Sequence, residues 1–183
     1  MDASFIRQAF DKHNTDKGRD HGYEDMYADL FTRYNISSVL EIGTEYGYSI
    51  AAWKELFPNA NVAGVDIVDR DLVLPKTSFD YIVGDSGDRQ ILELASNQYD
   101  IIIDDASNDL FDQALTFENF KHSFNCCYVI EDIYSLSTYQ NDRVGVLEKN
   151  IHEKGFNNTK IFLSKKKRNG VLMNTTALII HRK

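Results

Sequence analysis

The sequence is poor in proline, in cysteine and in long apolar runs, and each shortage narrows what the chain can be. Its 183 residues include only two prolines, and no stretch has the composition of an interdomain linker. No apolar run approaches the roughly 20 residues of a membrane span, and the amino-terminal region lacks the pattern of a signal peptide. We therefore expect one domain over residues 1–183, in the cytoplasm, with no membrane partner.

Basic residues are also scarce, with 20 Lys and Arg against 28 Asp and Glu, for a formal net charge of -8. A general nucleic-acid binder needs a basic face, so we expect no nucleic-acid partner. The one basic run, at residues 165–168, precedes Asn169 and Gly170 and is typical of a solvated hairpin tip. An anion-binding patch is the alternative interpretation.

The two cysteines, Cys126 and Cys127, are adjacent. Neighbouring residues of a strand point to opposite faces, so a disulfide between them is not expected. The sequence also lacks CxxC and His-rich spacings, which argues against a zinc site. Buried thiols in a reducing compartment are the expectation.

Five short apolar runs that each end in acidic residues are the main positive feature. We predict them to be strands at residues 38–42, 61–67, 81–84, 100–104 and 126–131. They are continuous rather than alternating, as in strands of a parallel sheet that is covered on both faces. Helices are predicted at residues 3–12, 23–34, 49–57, 88–96, 110–124 and 141–154. This alternation predicts a doubly wound α/β fold whose acidic strand ends share one edge, where such folds bind ligands.

The last two predicted strands, at residues 160–164 and 172–181, are too close in sequence for a helix to connect them, so they form an antiparallel hairpin. The spatial order of the strands cannot be read from the sequence. A mostly parallel seven-stranded sheet that ends in such a hairpin resembles the Rossmann-like fold of class I S-adenosylmethionine-dependent methyltransferases. The resemblance spans nearly the whole chain, with residues 1–36 as an amino-terminal helical cap region.

The turn after the first strand has the sequence EIGTEYGYS at residues 41–49. Its two glycines allow a tight turn and a close approach to a ligand. Their GxxxG spacing departs from the GxGxxG of dinucleotide-binding turns, and Glu45 would repel a pyrophosphate at the following helix. A plain strand-to-helix turn is the alternative interpretation.

This turn resembles the glycine motif of small-molecule O-methyltransferases. The resemblance implies that residues of the turn bind S-adenosylmethionine, with Asp66 on the ribose hydroxyls and Asp85 near the adenine amino group. The implied residues of the turn are Glu41, Gly43, Gly47, Tyr48 and Ser49.

The fourth and fifth strands end in two further acidic groups, DDASN at residues 104–108 and Glu131-Asp132. Uncompensated carboxylates on adjacent strand ends repel one another, and a hard divalent cation removes that conflict. Alternatively, the acids cap helices or pair with lysines. The pattern resembles the cephalosporin hydroxylase-like and macrolide-sugar O-methyltransferase group, which includes macrocin O-methyltransferase. That resemblance implies Mg²⁺ ligands at Asp105, Glu131 and Asp132.

A polar stretch near the amino terminus, TDKG at residues 15–18 followed by HGY at 21–23 and by Tyr27, resembles the lead-in of the same group. There it covers the cofactor and substrate side of the pocket, which implies roles for Lys17, His21 and Tyr23. A solvated loop that enters a helix explains the motif equally well.

One residue departs from the group: Asn108 stands where the group has a histidine that serves as general base. An amide cannot accept a proton at neutral pH. Either a metal lowers the pKa of the acceptor hydroxyl enough for water to take its proton, or another residue substitutes, with His21 as the first candidate, or the chain binds the cofactor and transfers poorly. In the first two cases Asn108 orients the acceptor.

The sequence therefore predicts a Mg²⁺-dependent O-methyltransferase that moves a methyl group from S-adenosylmethionine to a small hydroxylated acceptor, a sugar or a glycosylated metabolite. The alternatives are a catalytically weak protein that binds S-adenosylmethionine on a degenerate methyltransferase fold, and an NAD-dependent oxidoreductase. Nothing in the sequence decides the oligomeric state, so a homo-oligomer stays open.

Overall fold

Helices and strands alternate along most of the chain. The computed structural model describes residues 1–88, 91, 93, 96–133, 140–168 and 171–182. Its α-helices are α1 (Ala3–Lys12), α2 (Glu24–Arg33), α3 (Tyr48–Leu56), α4 (Leu110–Phe120) and α5 (Gln140–Glu153). One turn of π-helix lies at Lys17–His21 and one 3-10 turn at Lys76–Ser78. The helix predicted at residues 88–96 falls mostly outside the described residues. The hairpin tip predicted at residues 165–170 is wrong in its bounds, because strand continues to Arg168, and residues 169–170 lie outside the described residues.

Seven strands form one sheet in the order β3-β2-β1-β4-β5-β7-β6. Their bounds are β1 (Ser38–Ile42), β2 (Asn61–Asp66), β3 (Asp80–Val83), β4 (Tyr99–Asp104), β5 (Phe124–Ile130), β6 (Thr159–Arg168) and β7 (Val171–His181). The first five strands are parallel, whereas β7 runs antiparallel to both β5 and β6. The predicted α/β class, the mostly parallel sheet and its terminal hairpin are confirmed.

The strand order places β1 between β2 and β4. The chain moves outward from β1 through β2 and β3, and then crosses back to add β4 on the other side. Such a reversal opens a crevice at the carboxyl ends of the central strands, which is where open α/β sheets bind ligands. The register brings Glu41 of β1 beside Ile103 of β4, and Asp104 beside Ile130 of β5.

Two predicted boundaries between α4 and β5 are wrong. The helix predicted to reach residue 124 ends at Phe120, and the strand predicted from residue 126 begins at Phe124. The backbone N–H of Ser123 bonds to the Phe120 carbonyl in a turn, and the Ser123 carbonyl accepts a bond from Tyr99 of β4. Pairing with β4 therefore begins β5 two residues before the position that the apolar pattern indicates.

Helices cover both faces of the sheet. Along β4, Ile101 and Ile103 belong to the core on one face and Ile102 to the core on the other. The first core includes Tyr27 of α2 and Trp53 of α3, whose ring centroids are 4.9 Å apart. This packing fixes the amino-terminal helices against α3 and the sheet.

The two adjacent cysteines form no disulfide with each other. Cys126 and Cys127 are free, and Cys127 is buried. Among the helices of the described residues, none combines the length and the apolar character needed to cross a membrane.

Candidate functional site

A cavity of about 760 Å³ opens where the parallel strands end. Eight of the residues that the sequence singles out line it: Gly43, Tyr48, Ser49, Asp66, Asp85, Asp105, Asn108 and Asp132. Six others are not part of the lining that the described residues form: Lys17, His21, Tyr23, Glu41, Gly47 and Glu131. The cavity thus opens at the edge of the sheet where the sequence predicts a site, and eight of the fourteen predicted residues line it.

Gly43 lies at the point where the turn after β1 meets the turn after β4. Its φ is +90°, and an added Cβ would lie 2.4 Å from the backbone oxygen of Asp105 and 2.6 Å from the Cα of Ala106. No side chain fits at that distance. The glycine is therefore required by the contact between two protein loops, as well as by its positive φ.

The same turn leads into α3 through Gly47, whose φ is +78°. Its backbone N–H bonds to the Thr44 carbonyl at 2.7 Å. Ser49, in the first turn of α3, donates a hydrogen bond of 2.6 Å to Oε2 of Glu41, which is fully buried. Glu41 therefore anchors the helix to β1 from inside the protein and does not face the cavity.

Asp66 organises the loops on the far side of the cavity. Its Oδ2 accepts the backbone N–H of Glu45 at 2.7 Å, and its Oδ1 accepts that of Val68 at 2.9 Å. Glu45 has a φ of 49°, an uncommon conformation for a residue other than glycine. The carboxylate thus stabilises a strained turn, and each oxygen keeps a further lone pair for a ligand.

Asp85 follows β3 and lines the cavity. Its Oδ1 accepts the backbone N–H of Gly87 at 2.8 Å, which closes a short turn. The carboxylate is therefore held in place by its own loop.

Lys17 is the centre of a buried cluster that reaches three strand ends. Its Nζ lies 2.5 Å from Oε2 of Glu131, 2.7 Å from Oδ2 of Asp105 and 3.1 Å from Oε1 of Glu41. The side chain of Lys17 is 1% exposed. The π-helical turn at Lys17–His21 places it there, and the backbone N–H of Tyr23 closes that turn on the Lys17 carbonyl at 2.9 Å.

This cluster shifts the pKa values of its members. Burial alone would lower the pKa of Lys17, but the carboxylates of Asp105, Glu131 and Glu41 raise it well above its usual range. Burial raises the pKa of Asp105 and of Glu131, and each also feels the negative charge of Asp132, while Lys17 opposes the rise. Lys17 therefore stays charged, and its positive charge is the main one that offsets the negative charges of the neighbouring carboxylates.

Glu131 is engaged through both oxygens. Tyr27 donates its hydroxyl proton to Oε1, while Oε2 faces Lys17. The residue is 1% exposed. Its carboxylate thus points into the protein, toward the amino-terminal segment.

Asp132 is turned the other way, toward the cavity, with a φ of 50°. The hydroxyl of Tyr23 donates to its Oδ1 at 2.7 Å and accepts its backbone N–H at 3.2 Å. The Nδ1 of His21 lies 3.1 Å from the same Oδ1, and the Nε2 of His21 lies 3.4 Å from Oδ2 of Asp16.

His21 is a cation in this setting. Burial alone would lower its pKa, but Asp132 and Asp16 together raise it to about 10. His21 in turn lowers the pKa of Asp16 to about 2. A general base must be unprotonated at the working pH, so the geometry does not support the role that the sequence analysis assigns to His21.

The predicted magnesium site is not confirmed. Among the residues that the structure describes, no group of three or more His, Cys, Asp or Glu side chains is arranged to hold a metal ion. An ammonium group lies between Asp105 and Glu131, and both oxygens of Glu131 have other partners. Mg²⁺ needs oxygen ligands at about 2.0–2.1 Å, so the three acids as arranged do not fit it.

Sequence reasoning misses two contributors to the site and misplaces a third. It implies a role for Lys17 on the cofactor and substrate side, whereas Lys17 pairs with the acidic strand ends. Arg70 and Tyr46, which line the cavity, were not singled out, and the guanidinium of Arg70 lies 5.2 Å from the centroid of the Tyr46 ring. The excess of carboxylates at one sheet edge was a signal for a buried lysine, because such a cluster requires a compensating cation.

No protein-family model matches the chain, and no curated protein matches it. Solved structures do. The MycE methyltransferase from the mycinamycin biosynthetic pathway, in complex with Mg, SAH and mycinamycin VI, matches with a TM-score of 0.70 and 23% identity, over 96% of this chain and 52% of that chain. The chain thus spans about half the length of MycE.

Two shorter enzymes match along nearly their whole length. The O-methyltransferase from Bacillus cereus in complex with SAH has a TM-score of 0.59 and 14% identity, over 98% of this chain and 91% of that chain. The plantazolicin methyltransferase BpumL, in complex with SAH and a desmethyl plantazolicin analogue, has a TM-score of 0.61 and 12% identity, over 99% and 97%. The chain has the fold of the S-adenosylmethionine-dependent O-methyltransferases.

Proposed function

We propose that this chain is an O-methyltransferase that uses S-adenosylmethionine to methylate a hydroxyl group of a small molecule, a sugar or a glycosylated metabolite. The acceptor class is suggested by the resemblance in sequence to macrolide-sugar O-methyltransferases. The complex of MycE with mycinamycin VI agrees with it. Fold alone does not determine an activity, so the proposal depends on the residues of the cavity.

The cavity at the ends of the parallel strands is the observation that carries the proposal. Its volume of about 760 Å³ lies within the usual range for sites of small ligands. Gly43, Asp66 and Asp85 line it together. Gly43 contributes backbone to the cavity lining, and the lone pairs that remain on Asp66 can accept ribose hydroxyls. These residues fit the cofactor.

In this proposal the turn at Gly43 holds the methionine portion of the cofactor, Asp66 holds the ribose and Asp85 lies near the adenine. When bound, the cofactor supplies an electrophilic methyl group on a sulfonium ion. The negative charge of the lining, which includes Glu45 and Asp105, favours this cation.

The remaining lining residues orient the acceptor. Asn108 offers an amide that donates and accepts hydrogen bonds, and it holds the acceptor hydroxyl without deprotonating it. The proton passes to a carboxylate of the same lining, either Asp105 or Asp132, which follow β4 and β5. Orientation and proximity supply much of the rate. No step of this proposal requires a metal ion.

A second candidate is a protein that binds S-adenosylmethionine and transfers its methyl group poorly. It is favoured by Asn108 in the cavity and by His21, which is held protonated. The third expectation, an NAD-dependent oxidoreductase, is disfavoured by the antiparallel β7 between β5 and β6, since the classic dinucleotide-binding sheet is mostly parallel and has the order 3-2-1-4-5-6.

Calorimetry with S-adenosylhomocysteine and with NADH tests the proposal. We expect binding of the first ligand only, and weaker binding to Asp66→Asn. Asp69→Asn is the matched control, because Asp69 is exposed and pairs with Lys76. Absence of binding to S-adenosylhomocysteine overturns the proposal.

Methyl transfer from labelled S-adenosylmethionine to a panel of sugars and glycosides then separates the two methyltransferase candidates. Labelled product supports the enzyme. Binding of S-adenosylhomocysteine without product from any acceptor favours the weak binder. The assay is run with and without a chelator, which tests the magnesium requirement that the sequence predicts.

A further inference from the structure

The ammonium group of Lys17 lies among carboxylates at the strand ends. It donates hydrogen bonds to Asp105 and Glu131 and lies within ion-pair distance of Glu41. Three carboxylates from three different strand ends face it, at Nζ–O distances of 2.5, 2.7 and 3.1 Å for Glu131, Asp105 and Glu41. The lysine thus joins β1, β4 and β5 at the edge that forms the cavity.

The position of this ammonium is the position that a metal shared by Asp105 and Glu131 would need. A divalent cation that bridged the same two oxygens would overlap with Nζ or lie against it. Both oxygens of Glu131 already have partners, because Tyr27 donates to Oε1 and Lys17 donates to Oε2. Asp132, the third predicted ligand, is held by Tyr23 and turned toward the cavity.

We propose that Lys17 is the resident cation of this site, a covalently attached charge that takes the place of a divalent metal and fixes Asp105 at the cavity wall. The inference deepens the proposed function and rests on it for the reaction that the site supports. Lys17 is 1% exposed and is not part of the cavity lining that the described residues form, so it is a positioning residue that acts through Asp105.

The anchoring of the amino-terminal segment supports this role. The hydroxyl of Thr175 in β7 donates to the His21 carbonyl at 3.2 Å, and Tyr23 binds Asp132 through its hydroxyl. These contacts hold the π-helical turn at Lys17–His21 against the strand ends. Because the lysine is part of the chain, the positive charge that it brings to this site does not depend on the concentration of any metal.

The experiment measures Mn²⁺ binding by electron paramagnetic resonance, because Mn²⁺ has the same oxygen preference as Mg²⁺. The full-length chain is titrated with Mn²⁺ to millimolar concentration, with saturating S-adenosylhomocysteine present and absent. We expect the wild-type chain to bind no Mn²⁺ through Asp105, so the wild type and the Asp105→Asn variant bind the same amount of Mn²⁺. One Mn²⁺ per wild-type chain that Asp105→Asn abolishes overturns the proposal.

The Lys17→Met variant is the protein in which we expect Mn²⁺ binding to appear. Without the ammonium, the carboxylates are left uncompensated, and we expect the variant to gain one Mn²⁺ site that Asp105→Asn removes. Lys12→Met is the matched control, because Lys12 is 65% exposed and pairs with Glu55 outside the cluster. A loss of packing alone does not create a metal site.

A folded Lys17→Met variant that binds no Mn²⁺ also overturns the proposal, since the three carboxylates would then need no cation. If the variant does not fold, the wild-type titration decides the matter alone. Failure of the proposed function is seen separately, as absent binding of S-adenosylhomocysteine in calorimetry.

Discussion

The hydroxyl of Tyr23 binds Asp132 twice, donating to its carboxylate at 2.7 Å and accepting its backbone N–H at 3.2 Å. This pair of bonds holds Asp132 in a left-handed conformation with a φ of 50°. A tyrosine more than 100 residues away in sequence thus determines how an acidic strand end faces the cavity.

Tyr23→Phe tests this relationship. The change removes one hydrogen bond to a carboxylate and leaves the N–H of Asp132 without its acceptor, so we expect the free energy of unfolding to fall by about 1.5–3 kcal/mol. Urea denaturation measures it. Tyr81→Phe is the control, because the Tyr81 hydroxyl bonds an exposed carbonyl of Val68, and its effect is expected to stay within about 0.5 kcal/mol. Equal losses in the two variants contradict the assignment.

Gly43→Ala introduces a Cβ where the turns after β1 and β4 touch. The clash with the Asp105 backbone and the positive φ together are expected to cost on the order of 3 kcal/mol, with loss of binding to S-adenosylhomocysteine. Gly145→Ala is the matched control: its Cβ meets nothing within 4 Å and it lies within α5, so a gain of about 0.5–1 kcal/mol is expected. Thermal unfolding and calorimetry measure both. A stable Gly43→Ala that binds normally is inconsistent with the close contact.

Asp104 is a buried carboxyl group that opposes folding at neutral and higher pH. Burial raises its pKa to about 7, and the Tyr128 hydroxyl donates to it at 3.1 Å. The pKa of Asp104 is higher in the folded protein than in the unfolded chain, where it is near 3.8. The contribution of Asp104 to the free energy of unfolding is therefore fully present below pH 3.8 and is lost as the pH rises through 7. The loss amounts to about 1.4 kcal/mol per pH unit at most.

Asp104→Asn removes this dependence. We expect the variant to exceed the wild type in free energy of unfolding at pH 8, with the difference shrinking toward pH 4. Asp100→Asn, at the other end of β4, is the control. Burial would raise the pKa of Asp100, but hydrogen bonds from Ser37 lower it, so this carboxylate stabilises the fold above its unfolded pKa and the trend is opposite. A difference for Asp104→Asn that is constant between pH 4 and 8 argues against the assignment.

His21 is expected to remain protonated through pH 8.5, since Asp132 and Asp16 raise its pKa to about 10. Its ion pairs stabilise the fold fully below pH 6.5, and this contribution is lost as the pH rises through 10. NMR titration of the imidazole resonances measures the pKa directly, with His21→Gln for assignment. His181 is the internal comparison, because burial and then Arg33 and Lys160 lower its pKa. A titration of His21 near 6.5 would revive it as a general base.

Much of the fold could be predicted from the sequence because the strands carry local signals. Val39, Ile102 and Val129 lie in continuous apolar runs, and such runs predict strands buried on both faces. The strand order was not predictable, because neighbours in a sheet are chosen by packing of the whole chain. The start of β5 at Phe124 was missed for the same reason, since it depends on pairing with Tyr99 of β4.

The candidate site was predictable only where a residue follows its own strand directly. Asp66, Asp85 and Asp105 lie at the cavity because strand ends converge there. Lys17, Tyr23 and Tyr27 belong to a segment whose path over the sheet is determined by tertiary contacts, so no local pattern shows that they point inward at Glu131 and Asp132. Their roles required the structure.

The span of the Lys17 cluster has a consequence for folding. Lys17 is separated by 88 residues from Asp105 and by 114 from Glu131, and the turn that carries it is bonded by Thr175 of the last strand. Contacts of such separation form late, because the entropy of closing long loops opposes them until other structure is in place. We therefore expect the cluster to form only after the strands that carry Asp105, Glu131 and Thr175 are in place, which makes the site one of the last parts of the molecule to assemble.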